Sequence, residues 1–573
     1  MGNSGNYIFN REGEKKMEQE TIDSIEEQID VWIYDKLDPD IPRNKYMYHC
    51  NLAYIDIMID QKMMFTPYER HFLFSLNYNI HIAYKKLKEE DTFDYTFDYR
   101  LYPKAFYMIL LGMHYSMLCD IFPMLHSGKA VMDIDGKDIY FNKEELPKRH
   151  YKFISDFSMR KYLSYTLQIA NGKMEQQNIE DEDIAMKLSD LYMHFWSENM
   201  QYDDYEPYTR MDWSGVSFFF ILAAMRRFNK LYKKDFDIVS LDSQKMMILM
   251  SPTGVSKIRN FVPSKDEELY QQALEDHIYK PRGKGVYPKA NIADAPLIKT
   301  KDGYIFANSL VILFNESLDT QFLNYLRRCD NKRYLRIKDR IKEREIPLIQ
   351  EMVKYKFSNV KSVCNFYVRI PTHKKNKREC DLLLVDDNGI AVYLEMKHFY
   401  IPHSYCEEKV LDRELTQALE KIPDQLEAIS EDWDKIKAKY NLACDLKKIY
   451  GIIVSHRYTG VDVEIKPETS IVSSSDLFES IAEAKSLEDI YFGCREIDEL
   501  YPKIEFIEKE LLVNFAGYRF HLYEECLNPL CEILVTATYK KQVEKNIEYT
   551  TPTSYKSIED LAHAYIDQMQ ETN

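Results

Sequence analysis

Ten cysteines are spread over 573 residues, at 50, 119, 329, 364, 380, 406, 444, 494, 526 and 531, and no two of them form a CxxC pair. That absence excludes a zinc ribbon or a redox CxxC motif and predicts reduced, mostly buried thiols in a cytoplasmic setting. Glycine is scarce at 17 residues, and no Gly-x4-Gly-Lys-Ser/Thr run occurs, so no phosphate-binding P-loop is expected. Nor is a helix-turn-helix or zinc finger recognisable. Positive charge is in deficit, with 76 Lys and Arg against 93 Asp and Glu, a net charge of -17 and a pI near 5.4. This excludes a basic protein that coats nucleic acid along its whole surface. Long apolar runs are almost missing. The nearest, "AFYMILLGMHYSMLCDIFPML" at 105–125, is interrupted by His114 and Asp120 and is expected as a buried core helix, with no membrane partner. The first twenty residues are polar, without a secretory pattern, and "MGNSGN" lacks the Ser or Thr at position six of a myristoylation signal.

What is present suggests several domains, since this length exceeds what one core usually supports. From about 15 to 250, apolar residues recur at three and four, as in "IDSIEEQIDVWIYDKL", which predicts an all-α domain over 1–252. Pro- and Gly-punctuated sequence such as "YKPRGKGVYPK" and "KTKDGYIF" then predicts a linker and small β-hairpin module at 253–334. From 335 the texture is mixed. A helix at 335–357 with a kink at Pro347 precedes strands at 362–370, 380–386 and 389–397. A helix at 407–429, strands at 448–455 and 469–474, and a helix at 475–484 complete an α/β domain over 335–490. Residues 491–573 are expected as an α/β extension ending in a helix near 556–570.

Three charges interrupt this apolar sequence. In "GIAVYLEMK" the period of two places Ala391, Tyr393, Glu395 and Lys397 on one face and Ile390, Val392, Leu394 and Met396 on the other. Asp381 lies on the preceding strand. A three-residue loop at 387–389 with Gly389 left-handed gives paired residues an index sum of 776 and sets Asp381 across from Glu395; a two-residue Asn-Gly turn gives 777 and sends Asp381 to the wrong face. Carboxylates about 5 Å apart repel unless a cation lies between them. Oxygen ligands with open positions suit Mg2+ or Mn2+, and a neighbouring lysine can orient water or stabilise charge on a phosphate. The bland alternative is a buried structural ion pair.

At this point the sequence resembles the PD-(D/E)xK, or restriction-endonuclease-like, nuclease superfamily, through Asp381 and "LEMK" within that order of elements. The resemblance implies that Asp381 and Glu395 bind the metal, joined by the carbonyl of Met396, and that Lys397 is the catalytic lysine. It further implies a Glu from the first helix, for which Glu345 is the candidate because it shares the apolar stripe of Ile349 and Met352, whereas Glu351 points elsewhere. A Gln on the following helix is common in the family, and Gln417 occupies a comparable place. Cys380 stands where the family's name motif has Pro.

Residues 321–400 contain 18 Lys and Arg against 10 Asp and Glu, a local +8 in an acidic chain. Lys338 and Arg340, with Lys374, Lys375, Lys377 and Arg378, are the candidates for binding phosphates, although such runs commonly form a solvated face. His398, His403 and Cys406 form an H-x4-H-x2-C cluster with no fourth zinc ligand in view. The expected protein is a divalent-metal-dependent nuclease acting on DNA, with RNA open, and with a role in defence implied by analogy alone. The helical domain would serve oligomerisation or a regulatory partner. The rival expectation is a catalytically silent nuclease-fold scaffold that binds nucleic acid.

Overall fold

The computed structural model describes 6–60, most of 69–141, scattered residues within 212–227, and 243–527 apart from 262–265, 284–287, 314–317, 371–376, 400–404, 456–468 and 501–505. The chain folds as two compact units. One draws on 1–148, 204–322 and 507–526, and the other carries 323–506. The divisions expected at 252, 334 and 490 therefore shift: the punctuated stretch up to 322 is part of the first unit, because its strands pair there. The helix expected near 556–570 lies outside the described residues.

The first unit combines helices α1 (Asn6–Asp35), α2 (Arg43–Asp60), α3 (Glu69–Lys86) and α4 (Tyr102–His126) with two small sheets. Strands β1 (Met132–Asp135) and β2 (Asp138–Phe141) join the late hairpin β11 (Phe506–Phe515) and β12 (Tyr518–Leu527) in the order β1-β2-β12-β11. Strands β3 (Met247–Met250), β4 (Ile298–Lys299) and β5 (Ile305–Asn308) form an antiparallel sheet beside α5 (Glu267–Asp276). Helix α4 is long and apolar enough to cross a membrane by length and composition, yet 72% of its most apolar window is buried within the protein. Its packing is close: a Cβ on Gly112 would meet Ser75 Oγ at 2.3 Å. Asn79 on this seam links Tyr46, Ser75 and the Met108 carbonyl.

The second unit has three layers. Helix α6 (Asn331–Lys356), which contains Pro347 without ending there, leads into antiparallel strands β6 (Val360–Val368), β7 (Arg378–Asp386) and β8 (Ile390–Lys397). Helices α7 (Tyr405–Glu431) and α8 (Trp433–Tyr440) cross over to β9 (Lys448–Ser455), which runs parallel to β8, and β10 (Thr469–Ser473) runs parallel to β9. Helices α9 (Ser474–Glu483) and α10 (Leu487–Leu500) follow. The sheet order is β10-β9-β8-β7-β6, so β8 is central. The alternation of β8 divides between two cores as its period of two requires. Val392, Leu394 and Met396 pack with Ile349, Met352, Leu477 and Ile490 of α6, α9 and α10. Ala391 and Tyr393 pack with Leu415, Ile422 and Ile429 of α7. Burial on both faces explains why these strands read as nearly continuous apolar runs.

The β7–β8 turn sets the register. Leu382 pairs with Leu394 and Leu384 with Val392, the 776 sum of the three-residue loop. Gly389 has φ 86°, and Asp386 Oδ1 accepts from the N–H groups of Asn388 at 2.9 Å and Ile390 at 2.8 Å, closing the loop with a side-chain turn. The segment before β9 rests on this glycine, since a Cβ there would lie 2.3 Å from the Asp445 carbonyl. Gly389→Ala therefore meets both a left-handed backbone and a backbone clash. It should destabilise the protein by about 3 kcal/mol or more, read as a lowered urea midpoint.

Candidate active site

The β7–β8 pairing runs as far as Leu382 and Leu394, with Asp381 and Glu395 the next residues of the two strands, and both are buried, at 2% and 5% exposure. Asp381 Oδ2 accepts from the Met396 N–H at 2.8 Å. A residue whose N–H turns to one neighbouring strand turns its C=O the same way, so the Met396 carbonyl lies on the Asp381 side of β8.

Glu395 is surrounded by four donors. Its Oε1 receives Lys397 Nζ at 2.8 Å and Arg378 Nη2 at 3.5 Å. Its Oε2 accepts from the Tyr393 hydroxyl and from Gln425 Nε2 at 3.3 Å, and Gln425 also donates to the Tyr393 oxygen at 2.9 Å. The two oxygens thus differ in kind. Oε2 faces neutral, fully buried partners, whereas Oε1 faces two cations whose side chains keep 28% and 16% of their exposure.

Burial alone would raise the pKa of Glu395, but Lys397 beside it, together with the Tyr393 hydroxyl and Arg378, holds it down to about 2. Tyr393 moves the other way, raised well above its ordinary value first by burial and then by the Glu395 charge, so its hydroxyl stays protonated as a donor. The Cys380 thiol is pushed up to about 12, mainly by burial with Glu395 adding to it, and is no nucleophile there.

Glu345 lies on the buried side of α6 as its stripe requires. Its contacts lead to the far end of β8: Ser474 Oγ donates to Oε1 at 3.1 Å, and His398 Nε2 is 3.5 Å from Oε2. His398 thereby belongs with Glu345, while His403 and the Cys406 side chain of the H-x4-H-x2-C cluster lie outside the described residues. Gln417 is corrected: it sits on the exposed side of α7, and the glutamine that reaches Glu395 is Gln425, two turns later. The signal was present, because Leu411, Leu415, Ala418, Ile422 and Ile429 form a helical stripe in which position 425 is the one polar member. Tyr393 shares the face that the alternation of β8 gives it, and its role there is to donate to Glu395.

Among the six basic candidates, Lys377 is exposed and Arg378 is turned onto Glu395. Lys374 and Lys375 lie outside the described residues, as do the side chains of Lys338 and Arg340, although the latter two positions fall within α6.

Among the described residues no three His, Cys, Asp or Glu side chains converge as a metal cluster. A cation at this end of the sheet would instead have Asp381, Glu395 Oε1 and the Met396 carbonyl, a hard-oxygen set that leaves positions to water and substrate. Mg2+ or Mn2+ fits this chemistry, and the two cations already drawn to Oε1 mark where positive charge is favoured. No family model, curated protein or solved structure matches the chain.

The paired carboxylate makes two stability predictions. Tyr393→Phe removes a buried hydrogen bond to a charged group and should cost about 1.5–3 kcal/mol in urea unfolding. Because the pKa of Glu395 is lowered on folding, its ionised contacts stabilise the protein above the ordinary value of 4.5 and lose that effect as pH falls toward 2. The stability deficit of Glu395→Gln relative to the native chain should therefore shrink as denaturation is repeated at pH values descending through this window.

Proposed function

We propose that the protein is a divalent-metal-dependent nuclease that hydrolyses DNA phosphodiester bonds, its second unit having the restriction-endonuclease-like fold. The observation that supports this most is the convergence of Asp381, Glu395 and Lys397 at one end of a doubly covered sheet. A structural ion pair there is poorly justified, since apolar residues of similar volume would often serve stability as well or better. The sequence of helix, three antiparallel strands, crossover helix and parallel strand supports the fold assignment, and a role in defence against foreign DNA stays an analogy within it.

In this reading Asp381, Glu395 Oε1 and the Met396 carbonyl would hold Mg2+ or Mn2+. When bound, such an ion lowers the pKa of water and neutralises charge building on the phosphoryl oxygens. Lys397 Nζ, held at Oε1 by 2.8 Å contact, lies where it can orient the attacking water and stabilise the pentavalent phosphate. Tyr393 and Gln425 fix the rotamer of Glu395 from behind, so that Oε1 stays turned outward. Glu345 acts through His398 on the end of β8 as a positioning residue. Lys377 offers an exposed cation to the phosphate backbone, which carries affinity without sequence preference.

One observation favours a second reading, a silent nuclease-fold scaffold: all four acceptor positions of Glu395 are already filled by the protein's own donors. Cleavage of supercoiled plasmid and single-stranded DNA by the full chain separates the two. The nuclease reading expects Mg2+- or Mn2+-dependent cutting that EDTA stops and that Asp381→Ala and Lys397→Ala reduce at least about 100-fold, with a smaller loss for Glu345→Gln. DNA binding that is equal in the native chain and both variants with EDTA present, with no cutting by any of them, would support the scaffold.

A further inference from the structure

Arg378 makes a contact with Glu395 that the nuclease reading does not use. The charges of Asp381 and Glu395 are balanced by those of Lys397 and Arg378 without a metal. Burial makes that balance necessary, since an ionised carboxylate at 5% exposure needs cations beside it. A divalent ion on Oε1 would leave a surplus of two positive charges, and one protein cation would then be repelled. The two candidates differ. Lys397 is two residues from Glu395 on the same strand and hydrogen-bonded at 2.8 Å, whereas Arg378 opens β7 and reaches Oε1 only at 3.5 Å.

We propose that Arg378 is a place-holder for the metal on Glu395, displaced when the ion binds and then free to take a substrate phosphate. The proposal rests on the nuclease reading and deepens it. The guanidinium suits the exchange, being weakly hydrated and shaped for bidentate contact with carboxylate or phosphate alike. Metal and phosphate then bind cooperatively. Each relieves the cost of the other, because the ion frees the arginine that the phosphate needs and the phosphate removes the arginine that the ion must displace. Linkage requires the effect to be reciprocal. The metal-free protein meanwhile keeps its buried acid neutralised.

The test is Mn2+ binding by the full chain, followed by the paramagnetic resonance of free Mn2+, with and without thymidine 3′,5′-bisphosphate, which presents phosphates but no phosphodiester to cut. Arg378→Gln should bind Mn2+ about fivefold or more tightly than the native chain when no nucleotide is present. Arg369→Gln, exposed just past the end of β6, whose last residue Val368 pairs with Arg378, should change affinity less than about twofold and so controls for the general loss of positive charge. The nucleotide should tighten Mn2+ binding in the native chain and in Arg369→Gln but not in Arg378→Gln. Arg378→Met, which keeps the aliphatic stem, answers the same question should the amide disturb the strand. Equal shifts in Arg378→Gln and Arg369→Gln, or coupling that survives in Arg378→Gln, would overturn the place-holder while leaving the metal site standing. Mn2+ binding that Glu395→Gln leaves unaltered would overturn the metal site itself and this proposal with it.

Discussion

Glu395 sits between a crossover helix and the central strand of a sheet, where an ionised carboxylate costs several kcal/mol unless both oxygens are paired. The second unit meets that requirement from three directions. Strand β8 supplies Tyr393 and Lys397 from positions two residues to either side, which the alternation of a strand puts on the same face. Strand β7 contributes Arg378 at its start, and helix α7 contributes Gln425 from its buried stripe. These partners meet only where the three elements β7, β8 and α7 pack together.

Their meeting depends in turn on the short turn between β7 and β8. A shift by one residue would send every side chain of one strand to the other face, placing Leu382 among the groups that hold the acid and Asp381 in the core under α6. Gly389 prevents that shift by a left-handed backbone, and the segment preceding β9 packs so closely on it that a side chain has no room. The site is thus held by a loop at the opposite end of the hairpin, through register alone.

The unequal surroundings of the two Glu395 oxygens give the arrangement direction. Neutral donors with no solvent access fix one oxygen, and two partly exposed cations face the other. A carboxylate so held has one exchangeable side. That asymmetry is what separates a group prepared for an incoming ion from a salt bridge closed on itself, and it is carried by Tyr393 and Gln425 as much as by the charged residues.

The strands around the acids, the three-residue loop and the pairing of Leu382 with Leu394 were legible in the sequence, because they follow from local periodicity and from the turn chemistry of Asp-Asn-Gly. The stripe that puts Glu345 on the buried side of α6 was legible for the same reason. What sequence did not decide was which residues of distant elements come together: Gln425 in place of Gln417, Arg378 on Glu395 instead of at the surface, and His398 beside Glu345. Those depend on where a helix crosses a sheet and on how far a long side chain reaches, and both are fixed by packing between elements far apart in the chain. Periodicity along one element specifies which face a residue takes; only the tertiary structure decides what that face meets.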